Sequence, residues 1–314
     1  MKKALILIWG FCFSNGFLVR SQETSYIQYH MEFSQVEELI VKEQYQEAEI
    51  KLDALFKVFK VKFAKDYVIA AQISLINGHK EKGLEFMRSA IRMGVKVKCL
   101  QSIALVNRSM SKLEWEDIKI EEKNLRKDYL KGIDLKLYEE FHARYQEEQN
   151  AKRTEQYKAI VYSNFNRIKD ILEKGESIGS DVIGIDNQSL ALSLSDCDLG
   201  NSRIIVTLLH YDYPISEIGI DNLISEMGKG NLHPRAFATI YNFEKNKVSV
   251  LYAKSKKKYK ELPEYQFNFP FGDKSTDLEE VNSDRFKIGI CKYEVELKMD
   301  EICRKNGMKL KFIY

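Results

Sequence analysis

The sequence predicts a mainly α protein, with helical hairpins in its N-terminal half and a mixed α+β C-terminal domain. Three observations carry this. No proline occurs between Gln22 and Tyr213, which suits long helices. Apolar and small residues in the first hundred positions recur at spacings of three and four, in two units related by a fixed period. Beyond about residue 177 the texture changes to Gly, Ser, Asp and Asn around short apolar runs, and later segments alternate.

The clearest unit is Tyr67–Gly94. Tyr67, Ala70, Ala71 and Ser74 share one helix face, and Gly83, Met87 and Ala90 share another. Small residues at Ala70, Ala71, Gly83 and Ala90 allow close backbone approach, Asn77-Gly78 supplies the turn, and Gly94 suits a C-cap. Residues 32–60 read as an earlier copy, with Val36, Leu39 and Ile40 on the first helix and Leu52, Leu55 and Phe59 on the second. Ala48 and Gly83, Leu52 and Met87, and Leu55 and Ala90 are each 35 residues apart. That period suits tetratricopeptide-type hairpins, although Tyr67 stands where the usual tryptophan would and the closing proline is absent. Two copies leave an open end, which residues 95–130 cover through Leu100, Ile103, Ala104, Leu105 and Trp115.

Residues 118–160 read as one or two long helices dense in Lys, Glu and Arg, with a solvated face. Helices are expected at Ser202–His210, Ile215–Lys229 and Val295–Lys305. Strands are expected at Lys247–Ala253, Tyr265–Phe271 and Met308–Ile313, from their alternation and β-branched or aromatic content. The domain reading is 1–21 leader, 22–160 helical hairpins with a charged extension, and 161–314 a mixed α+β domain.

Met1-Lys2-Lys3 followed by Ala4–Phe11 has the form of a secretory leader. Val19-Arg20-Ser21 places cleavage before Gln22, and the expected location is periplasmic or extracellular. A membrane anchor is disfavoured because the apolar run is short and broken by Ser14-Asn15-Gly16. The full chain of 314 residues has formal net charge +3. The leader holds Lys2, Lys3 and Arg20 and no acid, so the 49 bases less those three balance the 46 acids. A neutral mature chain gives no field for nucleic acid, which is excluded as a partner, and the chain itself is not expected to be an integral membrane protein. Cys99, Cys197, Cys291 and Cys303 remain, and their spacing chooses neither a disulfide connectivity nor free thiols.

Several segments together resemble an uncharacterised family of exported bacterial proteins with N-terminal tetratricopeptide-like helices and a C-terminal domain of unknown function. They are Leu113-Glu114-Trp115, Glu147-Glu148-Gln149 followed by Lys152-Arg153, Leu208–Asp212, Gly230–Ala238 and Val281–Ile290. The chain departs from that pattern at Gly175-Glu176-Ser177, Asn242-Phe243 and Tyr252-Ala253-Lys254. The resemblance marks Glu148, Gln149, Arg153 and Arg285 as candidate binding residues and implies no known activity.

His210, Asp212 and His233 form the best polar constellation for acid–base chemistry or metal binding. Their helix-end positions equally suit local capping, no third ligand stands at a recognisable metal spacing, and no metal or other cofactor is expected. Nucleophile elbows, Cys–His patterns and phosphate-cradling glycine loops are absent from the sequence. Lys254–Lys260 is a basic cluster that reads as a solvated loop. Two functions follow. The first is a non-enzymatic scaffold that binds a protein or peptide in its repeat groove. The second is a hydrolase or other small-molecule enzyme using His210, Asp212 and His233. For the leader, N-terminal sequencing of protein from the native host is expected to begin at or near Gln22; intact Met1 on soluble protein would remove the export reading.

Overall fold

A computed structural model describes residues 25–185, 197, 199–200, 202–210, 215–255, 265–267 and 277–312. The leader, Asp212 and most of the Lys254–Lys260 cluster lie outside the described residues. Four helices open the chain as two hairpins: α1 (Tyr26–Val41) with α2 (Tyr45–Val58), and α3 (Ala64–Ile76) with α4 (Lys80–Arg92). The ends of α1 and α3, and the starts of α2 and α4, keep the 35-residue period of the sequence. So do the turn residues. Glu43 and Gly78 both take the left-handed conformation, at φ 59° and 80°. Gly78 adopts it freely, whereas Glu43 carries a side chain into a region that residues with a Cβ seldom visit. Its carboxylate is gripped by Lys305 Nζ at 2.6 and 2.7 Å.

The paired stripes are buried in both units: Ala48, Leu52 and Leu55 in the first, Gly83, Met87 and Ala90 in the second. At Gly83 an added Cβ would sit 2.9 Å from Leu75 Cγ and 3.3 Å from the Ala71 carbonyl oxygen. The α3–α4 contact is therefore closed to any larger residue there. This architecture is compatible with helical repeats.

Helix α3 is buried on almost every face, polar residues included. Lys65 pairs with Asp66 at 2.8 Å, and Asp66 accepts from Tyr29 Oη at 2.6 Å. Ser74 donates to Glu49 Oε1 at 2.7 Å. Glu49 also accepts from Asn77 at 2.7 Å, meets the His79 ring at 2.8 Å and pairs with Lys82 at 3.0 Å. Burial works to raise this carboxyl, but those partners outweigh it and hold it down at about 2. One carboxylate of α2 thus fastens the first hairpin to the turn of the second.

The short helices α5 (Val97–Gln101) and α6 (Ala104–Ser109) close the open end, and α7 (Lys112–Gly132) packs along α4. A reciprocal capping box starts α7. The Ser111 N–H donates to Glu114 Oε2 at 2.6 Å, and the Glu114 N–H donates to Ser111 Oγ at 3.3 Å. Part of the charge on α7 is used in this packing rather than left in water: Arg88 of α4 grips Glu121 through two nitrogens at 2.7 and 3.0 Å, and Lys80 meets Glu114 at 2.7 Å. Then come α8 (Leu135–Ala151), capped by Asp134, and α9 (Tyr157–Glu173).

The C-terminal part is helical, not α+β. It contains α10 (Ser180–Ile183), α11 (Ser202–Leu208), a 3-10 turn (Ile215–Glu217), α12 (Ile220–Gly228), α13 (Pro234–Ser255), α14 (Leu278–Lys287) and α15 (Tyr293–Asn306). Among the described residues there is no strand. The expected strand Lys247–Ala253 is the distal part of α13. Pro234 opens that helix, and Phe237, Ala238, Ile240 and Tyr241 bury one stripe. Once such a helix is nucleated, each further residue adds a hydrogen bond, which overrides the weak β preference of a short run. Of the second expected strand only Tyr265–Phe267 is described, and it is irregular.

The third, Met308–Phe312, does alternate: Met308, Leu310 and Phe312 are buried and Lys309 and Lys311 half-buried. Its partner is a side chain instead of a strand. Gln72 Nε2 donates to the Lys309 carbonyl at 2.8 Å, and the Lys309 N–H donates to Gln72 Oε1 at 2.7 Å.

Two apolar cores result. The first is built from α1–α7 and takes in Met299, Ile302, Met308, Leu310 and Phe312 from the far end of the chain. The second joins α8 and α9 to α11, α12, α13 and Phe267. Cys99 and Cys197 form a disulfide across 98 positions, while Cys291 and Cys303 are free thiols. In the chain-entropy model a loop of that length confines the unfolded state by about 4–5 kcal/mol.

Ala90 lies fully buried where α4 meets the repeat interior. Ala90→Trp is expected to lower stability by about 1–3 kcal/mol through overpacking, read as a lower thermal midpoint. An unchanged midpoint would mean that α4 is wrongly placed.

Candidate functional site

Two of the sequence candidates come together. Glu148, fully buried near the end of α8, hydrogen-bonds the ring of His210, just past α11, with Nε2 and Oε1 2.9 Å apart. Asn164 of α9 donates to the other carboxylate oxygen at 2.9 Å. Burial works to raise the Glu148 carboxyl, but His210 and Asn164 prevail and keep it below the usual range. The Tyr157 ring lies edge-on to His210, with centroids 6.0 Å apart. A buried carboxylate behind an imidazole fixes its ring orientation, as a general base requires.

His233 belongs to a different neighbourhood. Its Nδ1 accepts from the Arg235 N–H at 3.1 Å, at the start of α13. In the neutral ring the proton therefore resides on Nε2. Its ring meets His30 of α1 edge-on at 4.8 Å and Phe63 at 5.1 Å. His30 Nε2 is buried without a hydrogen-bond partner among the described residues. Burial, with Lys65 and Arg235 close by, lowers both imidazoles well below their ordinary value.

Beside this pair runs an arginine network. Arg235 holds Glu37 of α1 through NH2, at 3.0 Å to both oxygens, and Glu296 of α15 through NH1 at 2.6 Å. Arg285 of α14 also reaches Glu296, and donates to the Cys291 carbonyl at 2.7 Å and the Phe267 carbonyl at 2.9 Å. Arg285 is almost wholly buried and ties three segments together. A cleft of about 210 Å³ opens beside Arg235, Arg285, Glu296 and Lys311. Gln149 is half-buried at the end of α8, and Arg153, exposed, takes a left-handed conformation just after it.

The more spacious cleft, about 320 Å³, lies where the repeat helices face α7 and α10. The repeat hairpins and the turns after them contribute Lys60, Val61, Tyr67, Arg92 and Met93; α7, α10 and the residues just past them contribute Asp128, Tyr129, Ile133, Asp181 and Ile185. Its walls are fixed. The Tyr129 hydroxyl accepts from the Ile185 N–H at 2.9 Å, and the Asp134 N–H donates to the Val182 carbonyl at 2.8 Å. Lys62 pairs with Asp181 at 3.3 Å, and Tyr26 donates to the Lys60 carbonyl at 2.7 Å. Gly94 and Gly184 both have positive φ and both abut Tyr129: a Cβ on Gly94 would come within 2.6 Å of its ring, and one on Gly184 would strike its hydroxyl. Sequence reasoning did not pick out this cleft. Its one local signal is Gly94, which reads as an ordinary helix cap until Tyr129 is seen against it.

Among the described residues, no three His, Cys, Asp or Glu side chains converge as metal ligands would. No described helix is long and apolar enough to cross a membrane. No family model, curated protein or solved structure matches the chain. The sequence resemblance therefore rests on the segments that carry it, and the coarser observation of a helical, repeat-compatible fold is what stands.

The His30–His233 pair sets a pH dependence. Both groups are held neutral, with folded values below the unfolded one, so their contribution is complete above about pH 6.5 and is lost as pH falls beneath it. The unfolding free energy from denaturant titration is expected to drop between pH 7 and 5.5, by up to about 1.4 kcal/mol per pH unit for each histidine. His233→Asn, which keeps an acceptor for the Arg235 N–H, is expected to flatten the profile. A wild-type profile already flat over that range would refute the assignment.

Proposed function

We propose that the protein is an exported, non-enzymatic binding module that takes a peptide or protein segment in the cleft between its helical hairpins and α7–α10. The observation that carries this reading is the composition of that cleft. Its apolar wall residues Val61, Met93, Ile133 and Ile185 sit with Tyr67 and Tyr129, and charged groups stand around them. Specific sites combine an apolar lining with a few placed polar groups in this way, and about 320 Å³ falls at the small end of their usual range of about 300–1,000 Å³. Repeat hairpins characteristically offer concave binding faces. The Cys99–Cys197 disulfide is compatible with export to an oxidising compartment.

The contact between Glu148 and His210 favours a second reading, a hydrolase or other small-molecule enzyme with His210 as base. His233 does not join that contact: it meets His30 and Phe63, whereas His210 meets Glu148 and Tyr157. Asp212 lies outside the described residues.

Selection of a displayed random peptide library on the purified protein tests the binding reading. Recovered peptides are expected to lose affinity about tenfold or more for Met93→Glu, with helical content retained. Failure to recover any peptide, or recovery of peptides indifferent to Met93→Glu, would overturn it. Turnover of ester or amide substrates that vanishes in His210→Ala would instead promote the enzyme.

A further inference from the structure

The charges of the larger cleft are segregated by element. Both cations, Lys60 and Arg92, come from the repeat hairpins, just past α2 and at the end of α4; both acids, Asp128 and Asp181, come from α7 and α10. Asp181 is engaged by Lys62 at 3.3 Å, and Arg92 has only a loose contact with Glu85 at 3.7 Å. Lys60 and Asp128 are exposed and make no ion pair among the described residues. With them the cleft is lined by Val61, Met93, Ile133, Ile185 and the two tyrosines.

Lys62 already neutralises Asp181, whereas among the described residues Lys60 and Asp128 have no such partner and Arg92 only a loose one. Lys60, Arg92 and Asp128 stay available to a ligand that carries both signs at its two ends and apolar groups between them.

Resting on the peptide-binding reading above, we infer that the cleft selects a short zwitterionic peptide with apolar side chains. Its free carboxylate faces Lys60 and Arg92, and its free ammonium faces Asp128. The volume of about 320 Å³ suits a ligand of dipeptide or tripeptide size. The packing of Gly94 on Tyr129 and the Lys62–Asp181 pair fix the repeat helices against α7 and α10, so the cleft measures ligand length as well as charge.

Calorimetric titration of the full mature chain tests this with four probes: L-leucyl-L-leucine, its N-acetyl form, its C-terminal amide, and the doubly capped form. The free dipeptide is expected to bind, and each cap to weaken it about tenfold, the loss of one charge-assisted contact. Asp128→Asn is expected to remove the discrimination against N-acetylation while sparing that against the amide, and Arg92→Gln the reverse. Both positions are exposed, so folding is not at stake. Equal binding of free and capped forms overturns the inference and leaves peptide binding intact. Binding confined to longer, library-selected peptides does the same. Failure of all four probes together with failure of the library selection removes both.

Discussion

Everything in the first core answers to one constraint: α3 is enclosed, yet it carries Lys65, Asp66, Gln72 and Ser74 into the interior. A buried polar group without a partner costs about 1–3 kcal/mol, so each of these dictates what must pack beside it. Asp66 requires Lys65 and the Tyr29 hydroxyl, and so fixes α1. Ser74 requires Glu49, and so fixes α2. Gln72 requires a backbone segment, and receives the one at Lys309. The apolar stripes specify that helices associate; these few hydrogen bonds specify which neighbours are accepted.

The hairpins were legible because two signals agreed. The 35-residue period appears in the apolar stripes, and it reappears in the turn geometry at Glu43 and Gly78. The C-terminal strands were misread for a physical reason that differs between segments. In α13, the stripe Phe237–Tyr241 commits the helix well upstream of Lys247, beyond the reach of a seven-residue window. At Met308–Phe312 the alternation correctly reports an extended, half-buried backbone. Period-two burial does not say whether the neighbour is a strand or the amide of Gln72.

The candidate groups were partly legible. Glu148 and His210 were singled out by type and position, and they meet across 62 residues of sequence. No spacing rule could have foretold that Asn164 would hold the other oxygen. His233 and Arg285 were chosen as reactive or binding groups, and the fold uses them to join elements: His233 to α1, Arg285 to α15 and two loop carbonyls. The cleft charges were invisible because Lys60, Arg92, Asp128 and Asp181 come from four separate stretches, each unremarked in a chain that is 30% charged.

The pairing of Gln72 with Lys309 has a temporal side. Synthesis delivers the chain from its N-terminus, so α1–α4 emerge long before residue 309. Until it arrives, the Gln72 amide keeps only its bond to the Val68 carbonyl, and its oxygen and the surfaces later covered by Met308, Leu310 and Phe312 stay open. Domains whose contacts are local can finish folding as they emerge; this one has to wait for residues 308–312.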